Sequence, residues 1–268
     1  MGRVLAITNQ KGGVGKTTTC VNLAASLVAT KREILLIDMD PQGNATMGSG
    51  INKNELELSA CDLLLDNAAA AQVMQKSEQG GYDLIPANAD LTAAEVGLLQ
   101  EQHREFRLRD SIQGLRDRYH FILIDCPPSL SMLTINALTA ADSVLIPMQC
   151  EYYALEGLSA LLDTIRRISD VLNPDLHIEG LLRTMYDPRN SLTRDVSAQL
   201  TDHFGNKVYR TLIPRNVRFA EAPSYGLPVL HYDKDSRGAR AYLALAGEVV
   251  RRQEEKQTSN LVDTEIAQ

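Results

Sequence analysis

An α/β fold built on a single doubly wound, mostly parallel sheet follows from three features of the sequence. Short apolar, β-branched runs recur along the chain, stretches with helical spacing separate them, and a glycine-rich segment joins the first run to the first helix. The runs are Val4–Thr8, Ile34–Asp38, Phe121–Asp125, Ser143–Pro147, Ile178–Met185 and Val208–Ile213. Most are almost continuously hydrophobic, as parallel strands covered on both faces must be. Helical spacing marks Lys16–Val28, Phe106–Tyr119, Leu133–Ala141, Leu155–Leu172 and Leu192–Phe204, and strands alternating with helices connect through right-handed crossovers. The Ala- and Gln-rich stretch Asn67–Gln79 is also expected to be helical, as is Ala239–Lys256, which carries Leu243, Leu245, Ala246, Val249 and Val250. Residues 1–256 are therefore expected to form one domain, with 257–268 a polar, frayed tail.

Composition narrows the function. The 268 residues are 44% hydrophobic and 23% charged, ordinary for one globular domain of this size. No apolar run reaches the roughly 18–20 residues that span a bilayer. The strand-like start leaves no room for a cleavable leader, and Ala6 stands where a myristoylation signal needs Ser or Thr, so a cytoplasmic chain is expected. Cys20, Cys61, Cys126 and Cys150 contain no C-x-x-C pair, which argues against a disulfide framework, a zinc site or an iron–sulfur carrier. They read as small hydrophobes in a reducing compartment. The net charge is −7, yet Arg183–Arg252 holds twelve Lys and Arg against seven Asp and Glu. One face could bind a polyanion, although a solvated surface explains the asymmetry as well.

The strongest motif is Lys11-Gly12-Gly13-Val14-Gly15-Lys16-Thr17-Thr18, between the first strand and the first helix. Glycines let backbone N–H groups approach phosphate oxygens, and the helix start offers its positive dipole end to the same anion. Lys16 is placed to reach the β- and γ-phosphates, and the Thr17 hydroxyl suits Mg²⁺. The common form G-x-x-x-x-G-K-[ST] fails at its first position, where Gln10 stands, and a second lysine, Lys11, enters the loop. By itself Lys11 could be merely solvated.

Carboxylates follow at strand ends, where open parallel sheets bind ligands. Asp125 ends the apolar run Phe121–Ile124, and from there it could hold Mg²⁺ through water. Asp38 and Asp40 end the second strand with alternate spacing, so both point to one side. Asp38 could instead cap a helix or form a loop salt bridge.

These residues resemble the ParA/MinD group of deviant Walker A ATPases. Asn9–Thr18 is similar to the ParA/Soj partition branch, and so are Asp38–Asn44, Ile124–Pro128, Thr184–Asp187 and Ile213–Arg218. The resemblance covers nearly the whole chain. It implies a P-loop NTPase fold and a slow, Mg²⁺-dependent ATPase. Lys11 would cross a dimer interface to the partner's nucleotide, Asp40 would orient the attacking water, and Asp38 would support the magnesium shell. Adenine contacts are implied near Thr184–Met185 and at Pro214 and Asn216, although Pro214 and Asn216 could simply form a turn. Arg189 and Arg218 would lie on a surface for non-specific double-stranded DNA, while either alone could be a surface ion pair. The implied cycle is an ATP-bound sandwich homodimer on the nucleoid, released when a ParB-type centromere-binding protein stimulates hydrolysis. The alternative is a MinD-like, membrane-associated ATPase that positions the division site. That reading needs a basic amphipathic C-terminal helix, whereas Gln253–Gln268 carries Glu254, Glu255, Asp263 and Glu265 and no aromatic anchor. No membrane partner is expected, and liposome sedimentation with ATP separates the two readings.

Overall fold

The computed structural model describes residues 2–65 and 67–266, the side chains of 257–266 excepted. Its strands are β1 (Arg3–Ile7), β2 (Ile34–Asp38), β3 (Gln75–Lys76), β4 (Asp83–Ile85), β5 (Phe121–Asp125), β6 (Ser143–Gln149), β7 (His177–Tyr186) and β8 (Val208–Pro214). They form one sheet in the order β3-β4-β2-β5-β1-β6-β7-β8, parallel except for β3 against β4. All six runs expected to be strands are strands.

Alternation along each strand splits the core in two. Val4, Ala6, Leu35, Ile37, Ile122 and Ile124 face one layer of helices, which includes Met132–Ala140 and Ala154–Val171. Leu5, Ile7, Leu36, Phe121 and Leu123 face the other, made by α1 (Lys16–Ala29) and the last helix, Arg237–Ile266. A sheet filled on both sides explains why β2 and β5 are buried at every residue.

Two expected helices differ. Phe106–Tyr119 breaks into a helix over Arg107–Ile112 and a 3₁₀ segment over Gln113–Arg118. The Arg116 carbonyl there accepts from the Gly2 N–H at 2.7 Å, and a Cβ on Gly2 would lie 2.6 Å from that oxygen. Packing against the chain start thus replaces the regular helical ladder. Within Asn67–Gln79 only Ala70–Val73 is helical, and Gln75–Lys76 pairs with β4 at the sheet edge. Ala70 and Val73 are the apolar side chains this stretch buries, too few to seat a longer helix. The tail expected to be frayed over 257–268 continues the last helix as far as Ile266, and 267–268 fall outside the described residues.

The opposite edge is closed by a side chain. Glu248, on the last helix, accepts from the N–H groups of Arg210 and Thr211 at 2.8 and 2.9 Å, and from the Thr211 hydroxyl at 2.8 Å. A carboxylate does for β8 what a ninth strand would do. Among the described residues no helix is long and apolar enough to cross a membrane.

Candidate nucleotide site

Register assembles the site. Asp38 pairs with Asp125 across β2 and β5, and Ile7 pairs with Asp125 across β1 and β5. The glycine loop therefore rises from β1 beside two strands that each end in a carboxylate. Gly13 and Gly15 have φ of +73° and +92°, the left-handed region that side chains avoid. A Cβ on Gly12 or Gly13 would meet nothing within 4 Å, so the loop is open on its outer side. The loop is fixed from behind. Thr184 donates to the Val14 carbonyl at 2.7 Å, and the Asn9 side chain accepts from Lys11 N at 2.9 Å and donates to the Pro147 carbonyl at 2.8 Å.

Lys16 opens α1, whose N-terminus has no side-chain cap and no acid in its first turn. Its free N–H groups and dipole are thus left for an external anion. The Lys16 ammonium is buried and donates to the Lys11 carbonyl at 3.3 Å. Burial lowers its proton affinity, while the negative charges of Asp125 and Asp40 oppose that shift.

The carboxylates differ in their partners. Asp125 is fully buried; Cys20 Sγ donates to its Oδ1 at 3.3 Å, and Oδ2 has no partner among the described residues. Burial, then repulsion from Asp38, raises its proton affinity well above the ordinary carboxylate range, and the Thr17 hydroxyl bonds to it. Asp38 Oδ2 accepts from Thr46 N and Oγ1, both at 2.8 Å, and Oδ1 accepts from Asp40 N at 3.1 Å. Asp38 thus anchors the Asp40 turn and the Thr46 backbone. Burial still raises its proton affinity. Asp40, buried, accepts from Gln42 N at 2.9 Å through Oδ1.

A cavity of about 470 Å³ adjoins the loop, lined by Gly15, Thr18, Thr184, Met185, Pro214 and Asn216 among others. That volume suits a nucleoside. Met185 is held at φ +49°, a strained geometry for a side-chain-bearing residue and one that clusters at ligand sites. Asn216 Oδ1 accepts from Arg218 N at 3.0 Å, so this residue does form a turn as well as line the cavity. Tyr242, which sequence reasoning missed, closes the floor and bonds Thr19 at 3.1 Å. Its only sequence signal is a position on the apolar face of the last helix.

These residues fit Mg²⁺ and a nucleoside triphosphate. The fit rests on the outward-open loop, the uncapped helix start and the unpartnered Asp125 oxygen beside Thr17. Among the described residues no three metal-ligating side chains converge, which suits Mg²⁺ held mainly by water and phosphate oxygens.

Lys11 lies elsewhere. Its Nζ contacts Glu151 Oε2 at 2.6 Å, with both side chains about half exposed. Nothing in the sequence pointed to Glu151. Arg189 and Arg218 sit past the C-terminal ends of β7 and β8; Arg189 pairs with Asp187 at 2.8 Å, and Arg218 with Glu221 and Asp233 at 2.6 and 3.0 Å.

Residues 2–178 match a family model described as an AAA domain. The chromosome partitioning protein ParA of Caulobacter vibrioides is 51% identical over 257 residues, covering 95% of this chain and 96% of that one. The chain belongs to the ParA/Soj family. The sporulation initiation inhibitor protein Soj of Bacillus subtilis is 53% identical over 249 residues, covering 93% and 98%. A crystal structure named as cobyrinic acid a,c-diamide synthase from Mycobacterium smegmatis, with bound ATP analogue and magnesium, superposes with a TM-score of 0.84 at 37% identity, covering 95% and 96%. This ParA/Soj member is accordingly a P-loop ATPase that uses ATP and Mg²⁺.

Proposed function

We propose that the chain is an ATP-driven DNA-partition switch: ATP joins two copies into a sandwich dimer, the dimer holds DNA without sequence preference, and hydrolysis stimulated by a ParB-type protein releases it. The observation that carries this reading is the exposure of Lys11. A cation in the phosphate loop that is half exposed and paired with a half-exposed Glu151 is available to a neighbouring molecule's phosphates. Half-identity over nearly the whole chain to proteins named for chromosome partitioning supports the same reading, ahead of the activity named for the 37% identical structure.

In this mechanism Gly12–Thr18 cradles the phosphates, Lys16 neutralises the β- and γ-oxygens, and Lys11 does so from the other subunit. Mg²⁺ held by these residues would supply Lewis-acid neutralisation of the phosphate charge. Thr17 would ligate it directly and Asp125 through water. Asp40 orients the attacking water, and Asp38 acts through the turn it anchors. Met185, Pro214 and Asn216 receive the base.

DNA phosphates would draw Arg189 and Arg218 from their present carboxylate partners, so binding should be strongly salt-dependent. The deciding experiment is the ATPase rate with DNA and a cognate ParB-type protein, added separately and together. More-than-additive stimulation is expected; a rate indifferent to both rejects the partition role. In gel shifts, Arg189→Glu with Arg218→Glu should lose DNA while ATP-dependent dimerisation persists. Unchanged low-salt affinity would remove both from the surface.

A further inference from the structure

At the end of the sheet opposite the nucleotide site, a cavity of about 800 Å³ opens between the last helix, the turn 205–207 and the starts of β7 and β8. Its walls carry six Lys and Arg against three Glu, on a chain whose net charge is −7. Within its floor the charges are matched. Glu179 meets Arg3 and Lys256, and Arg252 bonds Glu248 at 3.0 Å and stacks on the Tyr209 ring at 4.0 Å. Gly180 makes this packing possible, because a Cβ there would lie 2.7 Å from Tyr209 and 3.0 Å from Arg252.

The rim is different. Lys207, Arg210 and Arg251 are exposed, and among the described residues none has a carboxylate partner. Below them Arg183 spends its two terminal nitrogens on Ser197 Oγ and the Tyr209 carbonyl, both at 2.7 Å, and its buried Nε has no acceptor. A cation-rich hollow with unspent donors is suited to negative oxygens, and arginines favour phosphate through their planar donor fork. Its size lies within the roughly 300–1,000 Å³ of small-molecule sites.

We infer that this hollow is a second anion site, separate from the phosphate loop, for a small molecule bearing two or more phosphate groups, engaged by Lys207, Arg210 and Arg251. Duplex DNA is a worse fit, since it presents a convex surface, and the two arginines proposed for DNA lie at the other ends of β7 and β8.

The test is calorimetric titration of inorganic triphosphate into the full chain at low salt, with the phosphate loop filled by saturating Mg·ADP. One site per chain is expected, and Arg210→Glu with Arg251→Glu should weaken it by about tenfold or more. Arg166→Glu with Arg167→Glu, the same charge change on exposed positions of the helix over Ala154–Val171, should leave it nearly unchanged. ADP affinity should be the same in all variants, which also reports that they fold. Absence of a second site overturns the inference, as does equal weakening by the control pair. So does a short duplex that depends on Arg210 and Arg251 where triphosphate does not, because the patch would then be a nucleic-acid surface.

Discussion

Asp125, at the end of β5, and Glu248, on the last helix, are both buried carboxylates, yet their surroundings move their proton affinities in opposite directions. Burial pushes both upward. For Glu248 that push is outweighed by the N–H groups of Arg210 and Thr211, the Thr211 hydroxyl and the charge of Arg252. Asp125 has the Thr17 hydroxyl and the weak Cys20 thiol as donors, no partner on Oδ2 among the described residues, and Asp38 beside it across the strand pair. The sheet edge satisfies its charge completely. The catalytic end keeps one in deficit, and a cation bound there is worth more because of it.

The largest effects are expected where the deficit is. Lys16→Ala should abolish ATP binding, a loss of about a hundredfold or more in a fluorescent-nucleotide titration, since it removes a buried cation facing phosphates. Asp40→Ala should instead retain ATP and trap the dimer; normal turnover in that variant would refute its assignment. At the structural end, Glu248→Ala should cost about 2–4 kcal/mol in urea unfolding, because two backbone N–H groups and Arg252 lose their acceptor. ATP turnover of the folded fraction should stay normal. If turnover fell as steeply as stability, the two ends would not be separable.

Proton linkage sharpens the contrast. Because the folded state raises the proton affinity of Asp125 above its unfolded value near 4, the folded protein binds that proton more tightly. Its ionised form therefore costs stability, which should fall as pH rises from 6 to 8 in the absence of Mg²⁺ and nucleotide. Asp125→Asn should flatten that dependence. A wild-type profile already flat over this interval would mean that the carboxylate is better satisfied than its geometry indicates.

Much of this was legible beforehand because it rests on local rules. The strand ends that carry Asp38 and Asp125 follow from apolar runs, and the loop from its glycines and two lysines. What stayed hidden depends on distant contacts. β3 and β4 are two and three residues long; β3 falls in the stretch expected to be helical and β4 gives no signal, until they pair with each other and with β2. Cys20 looked like an ordinary core thiol until the fold set it against Asp125, 105 residues away. The partner of Lys11 is likewise 140 residues along the chain, and no spacing rule reaches so far.

That partner yields the smallest expected effect. An ion pair whose two side chains are each half exposed contributes about 0–1 kcal/mol, so Glu151→Gln should barely change unfolding. Its influence should appear only where Lys11 is needed elsewhere. If the subunit interface takes Lys11, each of the two monomers must first give up its contact with Glu151, and removing both contacts should favour ATP-dependent assembly by at most about thirtyfold in the dimerisation constant, read by sedimentation. A weaker dimer would mean that Glu151 makes an attractive contact of its own across the interface. Faster hydrolysis without a change in assembly would place Lys11 at the phosphates of its own subunit, against the trans arrangement.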